Sequence, residues 1–106
     1  MTDQEITEII ATKVMGWALD EPMCWWCDGV HAVEPSATFS PLTSDADCMM
    51  AWDRFAEKED TSLCTDEGKW ECCVYSPDDG TECLILVLNK DRRRAMCECM
   101  VKAVSQ

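Results

Sequence analysis

The sequence predicts an α+β domain, a three-layer α-β-α sandwich with a small antiparallel sheet of three or four strands. Three observations predict it. Apolar residues recur at helical spacing over about 3–15, 44–58 and 91–104. Between the last two helices the period drops to two, which is the signature of strands. The strand Glu82–Leu88 is apolar on both faces, and a strand buried on both faces needs a layer above and a layer below. A chain of 106 residues, 47% hydrophobic and 28% charged, fits one globular domain spanning 1–106.

The first helix opens on Thr2-x-x-Glu5, a capping box in which hydroxyl and carboxylate satisfy free N–H groups. Ile6, Ile9, Ile10 and Val14 follow on one face. Gly16 suits the left-handed position after the helix, where a missing Cβ removes the steric penalty. From Trp17 to Phe39 the periodicity breaks, with Pro22, Gly29 and Pro35 as punctuation. The expectation there is an irregular, aromatic-rich segment with one short strand near 30–33. Ser44-x-x-Asp47 starts the second helix, and Asp45 and Asp47 suit its positive end. Cys48, Met49, Trp52, Phe55 and Ala56 form its apolar face. A hairpin follows: a strand at 62–65, the turn Asp66-Glu67-Gly68, and a strand at 69–75. After the turn Ser76-Pro77-Asp78-Asp79-Gly80 comes the third strand, and Asn89 or Asp91 caps the last helix. Met96, Cys97, Met100, Val101 and Val104 make that helix's apolar stripe.

Charge and cysteine usage limit the function. Nine Lys and Arg against 21 Asp and Glu give a net charge of -12. Direct binding to duplex nucleic acid is not expected, because phosphate neutralisation needs clustered cations. The first residues show neither a basic nor an apolar signal region, and no apolar run is long enough for a bilayer. A cytoplasmic protein without membrane contact is expected. Its nine cysteines then act mostly as small reduced hydrophobes.

Three constellations bear on chemistry. Cys24-x-x-Cys27-x-x-x-His31 has ligand types and spacing compatible with structural zinc, with Cys64, Cys72 or Cys73 as a fourth ligand. Packing or exposed thiols, and a redox pair, are the alternatives. Arg92-Arg93-Arg94 puts three cations into a helix's first turn, where the dipole favours anions by about 0.3–1 kcal/mol per charge. A phosphate there would meet backbone N–H groups and arginine forks together. The alternative is a basic patch balancing nearby carboxylates. Trp25-Trp26 offers a stacking surface for a base, or a core closure beneath the long segment. With one His, no glycine-rich phosphate loop and carboxylate pairs only at caps and turns, no enzyme is expected.

Lys13-Val14-Met15-Gly16-Trp17, then Phe39-Ser40-Pro41-Leu42-Thr43-Ser44-Asp45-Ala46-Asp47 before Ala51-Trp52, and the final helix Ala95-Met96-Cys97-Glu98-Cys99-Met100-Val101-Lys102-Ala103 together resemble the phage ABA-sandwich domain family. The cysteine richness and the arginine triad depart from the family pattern. The resemblance implies a phage-encoded α-β-α protein of the host cytoplasm, with no catalytic residue to carry over. By analogy such a protein antagonises a host defence system. The expected mechanism is sequestration of a small nucleotide-type signal by Arg92, Arg93, Arg94, Trp25 and Trp26, in a pocket that a homo-oligomer would complete. One alternative is an acidic inhibitor that docks on a basic host protein as a nucleic-acid mimic. The other is a zinc-stabilised structural accessory protein.

Overall fold

The computed structural model describes residues 1–20, 24–27, 31–35, 39–78 and 80–105, and the side chains of all of these except those within 18–35. The fold is α+β. Helix α1 (Asp3–Ile9) runs on into a π-helical turn at Ile10–Val14. Helix α2 spans Asp45–Ala56 and α3 spans Arg92–Val104. Strands β1 (Ala18–Asp20), β2 (Cys24–Cys27) and β3 (His31–Pro35) form one antiparallel sheet in that order. Strands β4 (Asp60–Asp66), β5 (Lys69–Tyr75) and β6 (Cys83–Asn89) form a second.

The helix starts follow the capping chemistry. The Thr2 hydroxyl accepts from the Glu5 amide at 3.2 Å, and the Thr2 amide donates to the Glu5 carboxylate at 3.3 Å. The Thr2 amide, and the Thr2 hydroxyl at 3.1 Å, both donate to the Glu5 carboxylate and so lower its pKa. Ser44 Oγ accepts from Asp47 N, and Asp91 Oδ1 from Arg93 N and Arg94 N. Gly16 takes φ +75° after the π-helical turn, where an L side chain would be strained. Glu67 (φ 50°) and Gly68 (φ 79°) turn the β4–β5 hairpin with both central residues left-handed, which matches the twist of the flanking strands.

Helix α3 is central to the core. Ala95, Met96, Cys97, Cys99, Met100 and Val101 are all buried, more than one helix face can hold. One side meets Cys72, Val74, Ile85 and Val87 from the inner face of β5 and β6; the other meets α1, the π-helical turn and α2. Cys48 of α2 brings its Sγ to 3.8 Å from Met96 Sδ. The seven cysteines with described side chains are all unbridged, and five of them are buried. Small apolar thiols suit a helix that must approach neighbours on several sides. Trp17 meets Phe39 edge-on with ring centroids 4.9 Å apart, which closes the core beside the π-helical turn.

Two expectations change. The segment expected to be irregular, with one short strand near 30–33, contains the three-stranded sheet β1–β3. Its strands are three to five residues long, too short for a period of two to stand out. The expectation that β6 is covered on both faces also fails. Ile85 and Val87 face α3 and are buried, whereas Leu84, Leu86 and Leu88 are 51%, 50% and 50% exposed. Apolar character on both faces does not by itself supply a second covering layer.

Candidate functional site

The arginine triad lies where the N-termini of α3 and α2 meet. Consecutive helical residues diverge by about 100° around the axis, and here the three arginines do not converge on one partner. Arg92 and Arg93 turn toward α2. Arg92 Nη2 donates to Asp45 Oδ1 at 2.8 Å, and Arg93 Nη1 lies 3.5 Å from the same oxygen. Arg93 Nη1 also donates to the Thr43 carbonyl at 3.0 Å. Arg94 turns the other way, 2.7 Å from Asp3 and 3.0 Å from Glu98. Those two hydrogen bonds raise its already high pKa, so Arg94 stays charged.

The amide groups at the start of α3 are also engaged. Asp91 caps two of them and is itself fixed by its amide donating to Asn89 Oδ1 at 2.9 Å. The cap carboxylate therefore sits where a helix-terminal phosphate would sit.

Beside this corner is an open cleft of about 290 Å³, lined by Asp45, Trp70, Lys90, Asp91, Arg92 and Arg93. The Arg92 guanidinium lies over the Trp70 ring, 5.7 Å from its centroid. Three cations, two carboxylates and an indole suit recognition by charge and stacking. Nothing local in the sequence marks Trp70 as part of a site. The signal lay in strand register: Trp70 pairs with Asn89, which puts the indole next to the start of α3.

The tryptophans expected to stack, Trp25 and Trp26, form the middle of β2, where they pair with Val33 and Ala32. Their side chains lie outside the described residues, as do those of Cys24, Cys27 and His31. The backbone places Cys24 and Cys27 at the two ends of β2 and pairs Cys27 with His31. Among the described residues no three His, Cys, Asp or Glu side chains are grouped to hold a metal ion. Of the suggested fourth ligands, Cys72 and Cys73 are buried and Cys64 is exposed, all on the β4–β6 sheet. Among the described residues no helix is long and apolar enough to cross a membrane.

No protein-family model matches the chain, and no curated protein matches it. Among solved structures, the fold is similar to that of a phage protein from Bacillus cereus ATCC 14579, with a TM-score of 0.72 over 98% of this chain and 93% of that one. The two are 15% identical in sequence, so what they share is the architecture.

Proposed function

We propose that this chain is a non-enzymatic accessory protein of phage type that acts in the host cytoplasm by docking its acidic surface on a basic host protein. The observation that carries this reading is the closure of the arginine triad onto carboxylates of its own chain. Setting aside Arg92, Arg93 and Arg94 with Asp3, Asp45, Asp91 and Glu98 leaves six of the nine cations against seventeen of the 21 carboxylates. Exposed Glu59, Asp60, Asp66 and Glu67 on and around β4 belong to that excess. A predominantly acidic surface steers an oppositely charged partner and can stand in for nucleic-acid phosphates. The likeness to a phage protein's fold supports the phage setting, and antagonism of a host defence system is the role that setting suggests.

A second reading rests on the cleft. Trp70, Lys90, Arg92 and Arg93 could hold a small phosphorylated ligand, such as a nucleotide-type signal, if its phosphate displaced Asp45. Asp45 is 65% exposed, and exposed ion pairs are worth about 0–1 kcal/mol, so a dianion can compete for the two arginines.

The test is affinity capture from host lysate at low salt, identification of what a salt step releases, and titration of the purified partner. Docking predicts one basic protein whose binding weakens steeply with salt and with Asp60→Lys/Asp66→Lys, but survives Arg93→Glu. If instead a nucleoside triphosphate or a cyclic dinucleotide quenches tryptophan fluorescence, and Arg93→Glu removes the effect, the ligand reading replaces docking.

A further inference from the structure

We propose that the β6 edge is a self-association surface, on which β6 of a second copy pairs antiparallel to form a continuous six-stranded sheet. Among the described residues β6 pairs with β5 alone, so its other side presents unpaired backbone N–H and C=O groups. Proteins usually blunt such an edge with charges, proline or short length. The opposite edge of this sheet is blunted: β4 carries Asp60 and Asp66, both exposed. Strand β6 is seven residues long and has no charge or proline from Cys83 to Asn89. Its outward row is Leu84, Leu86 and Leu88, each about half exposed.

The occupant that fits is another β6, because the strand is close to self-complementary about Leu86. A two-fold axis there sets Leu86 opposite Leu86, Leu84 opposite Leu88, Ile85 opposite Val87 and Cys83 opposite Asn89. All six leucines of the pair then share one face, while Ile85 and Val87 continue the inner face. The charge arrangement is also tolerable. Each copy carries -12, and the carboxylates nearest the joint are Glu82, which the two-fold sets opposite Lys90 of the second copy, and Glu71 on β5, paired with Leu88; the acidic ends of β4 lie two strands, about 10 Å, back, beyond the screening length of about 8 Å at physiological salt. Residual repulsion between the two copies means that added salt should strengthen this contact. Docking on a basic partner should respond in the opposite direction.

The test is sedimentation velocity over a concentration and salt series with the wild type, Leu86→Lys, Leu86→Glu and an equimolar mixture of the two variants. The wild type is expected to dimerise, and more tightly as salt rises. Each charged variant should be monomeric with an unchanged far-UV spectrum. The mixture should restore dimers, because the opposite charges meet at the two-fold axis. Should either charged variant fail to fold, Leu86→Thr, which suits a strand, should weaken the dimer by about tenfold. A wild type that stays monomeric at every concentration and salt overturns the proposal and leaves the edge to a strand of another protein. Dimers that persist unchanged in Leu86→Lys, or in Leu86→Thr, overturn it as well and place the contact elsewhere.

Discussion

Arg94 at the start of α3 donates to Asp3 at the start of α1 across 2.7 Å of space and 91 positions of sequence. The same guanidinium reaches Glu98 one turn along its own helix. Three cations at a helix N-terminus oppose the dipole, and carboxylates from α1, α2 and α3 itself offset that cost. The triad thereby ties the start of α3 to the starts of α2 and α1. Arg94→Ala is expected to destabilise the protein by about 1 kcal/mol, because the pairs are partly exposed and screened. Urea unfolding at low and high salt checks this: the loss should shrink as salt rises.

The core should be far less tolerant than the outer face of the sheet. Met96 is wholly buried beneath Cys48, and Met96→Ala should cost about 2–5 kcal/mol, a large part of the roughly 5–15 kcal/mol that holds a typical domain. Leu88→Ala, at a half-exposed position, should cost less than about 1.5 kcal/mol. Parallel thermal melts at low protein concentration compare the two variants without any contribution from association.

Gly68 turns the hairpin at φ +79° with nothing within 4 Å of where a Cβ would sit. Gly68→Ala therefore meets backbone strain but no clash, and should lower stability by about 1 kcal/mol. Replacement by Asn, which tolerates the left-handed region, should recover part of that loss. Equal stability of the Ala variant and the wild type would show that the turn relaxes to another type.

Burial pushes the Cys72 and Cys99 thiols up to about 12 from an ordinary 9.0. Cys97 is raised as well, first by its hydrogen bond with Cys48 and then by burial. The folded state keeps these thiols protonated while the unfolded chain ionises them. Their contribution is thus intact below pH 9.0 and is lost as pH rises toward about 12. Denaturant unfolding under reductant across that window should show a falling stability whose slope is shallower in Cys72→Ala. An identical slope in the variant would remove Cys72 from the account.

Thiol labelling of the native protein follows from the same burial. Cys64, exposed on β4, should react promptly, whereas Cys72, Cys97 and Cys99 should react only once the chain opens. Mass mapping of alkylated peptides before and after denaturation distinguishes the two groups.

Much of this architecture is legible locally. Thr2, Ser44 and Asp91 announce the three helix starts, because a cap is a contact between residues two or three apart. Glu67-Gly68 announces a turn for a similar reason, since the backbone region it needs is a property of the residues themselves. The sheet β1–β3 has no local signature, because its strands are too short for alternation to accumulate. The site was only partly legible. The sequence identified the arginine triad as a departure from helix electrostatics, but the partners Asp3 and Asp45 are distant in the chain and meet it only through packing. Trp70 joins Arg92 through strand register, which two hairpins decide together. The exposure of Leu84, Leu86 and Leu88 likewise has no local signature. Hydrophobicity alone determined that β6 favours burial; whether a layer reaches each of its faces was decided by where the helices settled, and α3 covers just one.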